Sequence, residues 1–265
     1  MRSILLSAIV VIGIAGSVTT GTVRASALAF DSAADPAYAP YASSAFLPNG
    51  INGGYGWGSG WEGAAGPNNL DLRVVSTAGF TVSSPFTSGG AVWILPLFSG
   101  DPPKSWPSAM RQFDGGLAPG QTFSFDSLKV GDVYLLDANG NTVYEILSGG
   151  VTLGHLDGYQ ILSPLGQFQM AVPYSIPYTD EGEHFSITPI DSNHAVLSAT
   201  WYGSSGGTAS IEVPYSTIDS VVFPYNREIN IGVNNLSITP EPASAMLFAA
   251  AGLGCCFGGA GGAGH

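Results

Sequence analysis

The sequence predicts an all-β chain folded as a β-sandwich of jelly-roll type, and three observations carry that expectation. Short runs of β-forming residues recur between turn residues along the whole body of the chain. Only 10% of the residues are charged, while glycine numbers 37 and Ser, Thr and Asn dominate the polar positions. No segment of helical period and useful length interrupts the body, and no second domain or internal repeat stands out.

The expected strands fall near Leu70–Ser76, Ala91–Phe98, Gln121–Ser127, Asp132–Asp137, Thr142–Ser148 and Tyr159–Leu162. Others fall near Gln167–Val172, His184–Thr188, Ala195–Tyr202, Thr208–Val213, Ser220–Phe223 and Ile231–Ile238. In Thr122-Phe123-Ser124-Phe125-Asp126 apolar and polar residues alternate, which sets one face in a core and the other in water. Asp132 to Glu145 reads as a β-hairpin, because Asn139-Gly140 tolerates the positive φ of a tight turn. Pro102, Pro103 and Pro107 mark an irregular loop with Trp106 tucked beneath it. Many short strands at regular spacing are the pattern of a sandwich, and residues 28–238 are long enough for one with a full core.

Both ends differ from this body. Arg2 precedes an apolar run from Ile4 to Ala15, followed by polar residues and the small-residue triplet Ala25-Ser26-Ala27. Charge, apolar helix and small-residue site in that order predict a secretory signal over residues 1–27, cut at Ala25 and Ala27. The run is too short to span a bilayer, which needs about 20 apolar residues. Cleavage would leave 5 basic against 19 acidic residues, a net charge of −14. So acidic a surface repels phosphate backbones and argues against a nucleic-acid partner. The body has no cysteine, and the adjacent Cys255 and Cys256 are poorly placed to bridge each other, so core burial must hold the domain together.

At the other end, Pro240-Glu241-Pro242 is followed by an apolar stretch from Ala243 to Phe257, an expected short helix. This arrangement resembles the PEP-CTERM sorting signal of exported bacterial proteins, in which a Pro-Glu-Pro motif precedes an apolar helix and a basic cluster. The basic cluster has no counterpart here, since the chain ends in glycine, alanine and His265. The body is similar to a group of secreted proteins that carry such tails. The similarity rests on residues 30–38, the glycine-aromatic run through Trp61, residues 120–126, the Asn139-Gly140 hairpin and residues 234–239. The resemblance implies a lectin-like sandwich over residues 28–238 and a sorting tail over 239–265. It also implies an exosortase-like processing enzyme as a partner and a place at the cell surface or in an exopolysaccharide matrix. The chain would be anchored by its tail until processing. No catalytic residue is implied.

Nor do the residues themselves spell out catalysis. His155, His184, His194 and His265 are scattered, and no pair has zinc-ligand spacing. Asp180, Glu181 and Glu183 cluster, with Glu62 and Glu145 elsewhere, but Thr179 to Gly182 reads as a turn rather than one wall of a two-carboxylate cleft. Asp137 to Asn141 echoes the start of a calcium loop, yet its glycine stands at the wrong position, and the hairpin turn accounts for the same residues. No catalytic residue, metal ligand or cofactor is therefore assigned, although a structural calcium ion at Asp31, Asp35 or Asp71 is an open alternative. The run from Gly53 to Glu62 is the one feature that suggests recognition. On an extended strand Tyr55, Trp57 and Trp61 would project to one side, and Asn68, Asn69 and Asp71 could bind sugar hydroxyls beside them. Large rings between glycines also fill a core where two backbones meet, and the run's resemblance to part of a fold favours that second reading.

Overall fold

The computed structural model of the chain describes residues 27–42, 46–63, 69–79, 85–95, 108–128, 132–148, 151–152, 155–156, 158–171, 182–202, 206–224 and 231–240. Residues 1–26 of the expected signal with Ala25, the loop containing Trp106, and Asn68, Asp180 and Glu181 lie outside these residues. So does the tail from Glu241 onward, including Pro242, Cys255 and Cys256. Among the described residues no helix is long and apolar enough to cross a membrane.

Among the described residues eighteen strands follow one another, with three short 3-10 segments between them. They are β1 (Ala29–Asp31), β2 (Phe46–Pro48), β3 (Glu62–Gly63), β4 (Asn69–Ser76), β5 (Ala91–Leu95) and β6 (Ser108–Gln112). Next come β7 (Gln121–Leu128), β8 (Val133–Leu136), β9 (Thr142–Ser148), β10 (Val151–Thr152), β11 (His155–Leu156) and β12 (Tyr159–Ser163). The last are β13 (Gly166–Met170), β14 (Glu183–Pro189), β15 (His194–Trp201), β16 (Gly207–Pro214), β17 (Ser220–Pro224) and β18 (Ile231–Pro240). The final strand takes in Thr239 and Pro240, so the first proline of the tail motif pairs with Gln121 at the end of β7.

Two antiparallel sheets form the sandwich. One has nine strands in the order β16-β15-β14-β7-β18-β5-β4-β2, with β1 also against β18. The other has seven, in the order β13-β12-β9-β8-β17-β6-β3, and β10 and β11 make a separate pair. The chain is thus an all-β sandwich of jelly-roll type. Period-two patterning explains how it closes. Along β14 every second residue from Glu183 is buried, and β15 buries Ala195, Leu197, Ala199 and Trp201 in the same way. Rings join the sheets across the core: Phe125 of β7 meets Phe223 of β17 edge-on at 5.2 Å, and Phe185 of β14 meets Tyr159 of β12 at 4.8 Å.

The hairpin is present in a different form from the two-residue turn. β8 and β9 are joined by five residues, 137–141, and their register shifts between Leu135 and Leu136, as in a turn closed by a bulge. Gly140 alone takes a positive φ, +78°. The Asp137 carboxylate accepts from the backbone N–H groups of Asn139 and Asn141 and from the Asn141 side chain, which accounts for the acidic residue without a metal.

Candidate functional site

The glycine-aromatic run does not form one extended strand, and its rings do not share a side. Gly54 and Gly56 have φ of +68° and +77°, which turn the backbone twice within three residues. Both lie on the backbone of β1: a Cβ on Gly54 would stand 2.0 Å from the Phe30 carbonyl oxygen, and one on Gly56 2.1 Å from that of Leu28. Tyr55 pairs with Phe30 and Trp57 with Phe113 through isolated bridges. Tyr55 is left 55% exposed, whereas Trp57 is 8% and Trp61 0% exposed. Trp61 packs on Trp93 at 5.1 Å and Trp57 on Phe113 at 5.9 Å, so neither ring offers a face to a sugar. Of the three expected stacking rings only Tyr55 meets solvent. Asn69 and Asp71 fall on β4, but their side chains are outside the description, as is all of Asn68.

What holds this run is a polar group sealed between the sheets. Asp31 of β1 and Arg111 of β6 form an ion pair of 2.9 Å, both side chains fully buried. The Asp31 carboxylate also accepts from Tyr38 Oη at 2.9 and 3.0 Å and from Trp61 Nε1 at 3.2 Å. Arg111 donates to the carbonyls of Ser59 and Gly53 and to Asn52 Oδ1, clamping the run from its inner side. Burial pushes the Asp31 carboxyl up to about 7, against the opposing pull of Arg111 and of the Tyr38 and Trp61 donors. Burial also lowers the Arg111 guanidinium and, together with Asp31, raises the Tyr38 phenol. A guanidinium occupies the place beside Asp31 that a calcium ion would need, and Asp35 is bonded to the N–H groups of Ala37 and Gly54. This cluster is enclosed and reaches no ligand.

The opposite, outward face of the nine-stranded sheet has a different character. On five neighbouring strands the segments 122–126, 184–188, 196–200, 208–212 and 235–239 all read polar or exposed residue, apolar residue, serine, apolar residue, polar residue, with Val196 the one apolar residue at an outward position. Strand register lines the serines up: Ser237 opposite Ser124, Ser124 opposite Ser186, Ser186 opposite Ser198, and Ser198 opposite Ser210. The apolar residues between them point into the core, so the serines face outward, with Ser124 the least accessible at 7% exposed. Ser124 and Ser237 bond each other at 2.9 Å, and the flanking rows add Thr122 with Thr188 at 2.8 Å and Thr200 with Thr208 at 3.0 Å. Sequence reading missed this array, although the repeated apolar-serine-apolar pattern is its signature.

One corner of that face is built more tightly. Asn235 has a φ of +52°, which turns its amide onto Pro85 O, Ser88 Oγ and Asp126 Oδ2. The same Asp126 carboxylate accepts from Tyr202 Oη at 2.7 Å and lies 2.8 Å from His184 Nδ1. It is therefore almost buried beneath its own partners and adds little exposed charge.

Carboxylates set for hydrolysis are not seen among the described residues. Glu183 is buried and accepts from Tyr159 Oη, and Glu145 accepts from Tyr134 Oη at 2.9 Å. No group of three or more His, Cys, Asp or Glu residues suited to a metal ion occurs among the described residues.

Fold and surface together define a β-sandwich with a sealed ionic clamp inside and a hydroxyl-paved sheet outside. No family model matches the chain. No curated protein matches it by sequence. Solved structures with some likeness include the globular domain of T. cruzi calreticulin, at 8% identity and a TM-score of 0.42, covering 73% of this chain and 89% of that one. Others are the receptor binding domain of botulinum neurotoxin D (12%, 0.37, 78% and 52%) and the binding domain of botulinum neurotoxin DC in complex with SialylT (13%, 0.37, 69% and 47%). The chain spans about half the length of these neurotoxin domains.

Proposed function

We propose that this chain is an exported, non-catalytic carbohydrate-binding sandwich of the cell surface or extracellular matrix. The observation that carries the reading is the row of five outward serines crossing five adjacent strands. A hydroxyl both donates and accepts, so such a floor can meet the hydroxyls of a sugar with little desolvation penalty. The signal-like N-terminus and the Pro-Glu-Pro tail support export and sorting, and the engaged state of Asp31, Asp126 and Glu183 supports binding without turnover.

The test uses the full chain expressed with its native ends. Its partition among membrane, matrix and medium is followed, and the recovered protein is incubated with matrix polysaccharide. Retention without release of reducing ends agrees with the proposal. Failure to leave the cell, or release of sugar fragments, overturns it.

A further inference from the structure

Resting on that reading, we infer that the ligand is an uncharged, linear polysaccharide lying across the strands, with Tyr55 and Phe30 stacked on it at one end of the serine row. The register places these rings. Phe30 of β1 stands opposite Ser237, and Tyr55 stands opposite Phe30 with both backbone bonds made, Phe30 N to Tyr55 O at 3.1 Å and Tyr55 N to Phe30 O at 3.0 Å. Directly opposed residues of an antiparallel pair project to the same face. Ala29 and Asp31 point inward, so Phe30 points out with Ser237, and Tyr55 joins it. Phe30 is 37% and Tyr55 55% exposed, and Leu28, two residues before Phe30 on the same face, is also exposed.

The result is one continuous line of aromatic, aromatic and then five serines. Neighbouring strands lie about 4.8 Å apart, so its six steps span roughly 29 Å. A repeating sugar chain is commensurate with such a line: rings of pyranose size recur at a similar interval, and each brings hydroxyl groups to the floor. An aromatic face packs on the C–H face of a pyranose, which the serines cannot do, so the two rings fix one end of the chain and the hydroxyls hold the remainder. Charge selects the class of polymer. The serine row itself carries no ionisable group, its neighbour Asp126 is buried, the exposed Glu212 beside its β16 end is acidic, and the molecule as a whole carries −12. An anionic polymer is repelled by that field, whereas a neutral one meets the serine hydroxyls without that penalty.

Affinity electrophoresis of the full chain through gels containing hydroxyethylcellulose, mixed-linkage β-glucan, galactomannan or alginate tests this. Wild-type protein should be retarded by at least one of the three neutral polymers, and not by alginate. Tyr55→Ala and Phe30→Ser should each weaken retention by about 2- to 12-fold, the range of a single stacking contact. Ser198→Gln, which places a neutral obstacle in the middle of the row, should abolish it. Tyr55→Phe should bind as wild type, and so should Leu165→Ala, which removes an exposed apolar side chain in the turn between β12 and β13 of the other sheet. Matching near-ultraviolet circular dichroism establishes that each variant is folded. No retention of wild type by any of the four polymers overturns both this inference and the proposed function, whereas retention by alginate alone overturns only the inference. Wild-type retention that the ring variants and Ser198→Gln keep overturns the inference alone, as does equal retention by alginate. A self-association lost in the same variants assigns the face to a second copy and overturns it too.

Discussion

Replacing Arg111 with methionine isolates the buried clamp. The substitution keeps most of the side-chain volume and removes the only cation that faces Asp31 among the described residues, leaving that carboxylate, fully enclosed, with Tyr38 Oη and Trp61 Nε1 as donors. Breaking one side of a buried pair destabilises by about 3–5 kcal/mol, because the remaining charge is uncompensated. The carbonyls of Ser59 and Gly53 lose their donor as well. The loss should depend on pH, and its sign follows from Asp31. With Arg111 in place the folded carboxyl stands at about 7, against an ordinary value of 3.8. Between about pH 4 and pH 7 the native state therefore holds a proton that the unfolded state has released, and this group's stabilisation falls as pH rises through that window. Without the cation the carboxyl moves higher still. Arg111→Met should thus be most damaging near pH 8 and relieved near pH 5, where Asp31 is neutral in the variant. Urea unfolding of the full chain at the two pH values, followed by tryptophan fluorescence, measures both. A loss under about 1 kcal/mol at pH 8, or the same loss at pH 5, would refute the account of the clamp.

Two glycines that both hold a left-handed φ, Gly140 at +78° and Gly54 at +68°, should respond unequally. Gly140→Ala meets nothing within 4 Å and should lose only the about 1–2 kcal/mol of a left-handed residue, whereas Gly54→Ala drives a Cβ into the Phe30 carbonyl and should lose more than about 3 kcal/mol by urea titration. Asn235→Ala removes the bonds to Pro85, Ser88 and Asp126 and keeps the left-handed backbone, for an expected loss of about 2–3 kcal/mol. Asn235→Gly should recover about 1 kcal/mol of that in the same assay, since it relieves φ without restoring the bonds; no recovery would place the whole effect in the side chain.

Most strands of five or more residues were legible because apolar residues alternate with polar ones and turn residues bracket them, as in Gln121–Leu128 and Glu183–Pro189. The ones missed have a reason each. β1 and β2 are three residues long, and β6 reads Ser-Ala-Met-Arg-Gln, a composition with little β preference that becomes a strand because Arg111 is drawn into the interior. The sidedness of the rings was misjudged because an extended strand was assumed where Gly54 and Gly56 turn the chain. The serine row was half legible: the pentads can be read from the sequence, but their alignment depends on the order β16-β15-β14-β7-β18, which joins strands distant along the chain. The Asp31–Arg111 pair gives no local sign, since it spans the two sheets.

Clamp and outer face meet at Tyr55, and this gives the buried charges a purpose that stability alone does not. A buried ion pair is commonly no more stable than apolar side chains of the same volume, so Asp31 and Arg111 call for another explanation. Through Arg111 they hold Asn52 and the Gly53 carbonyl; Tyr38 Oη accepts from the Gly53 N–H, and Asp35 from that of Gly54. These bonds fix the three residues immediately before Tyr55, Asn52 to Gly54, while β1, which carries Asp31 inward, carries its partner Phe30 outward. The double variant Asp31→Leu with Arg111→Met should therefore unfold at a urea concentration close to that of wild type, and well above that of Arg111→Met alone. Its retention by a neutral polysaccharide gel should nevertheless fall toward that of Tyr55→Ala, because the ring is no longer held against Phe30. A double variant that is both stable and fully retained would show that the charges do not position Tyr55, and would leave them as a purely internal feature of the fold.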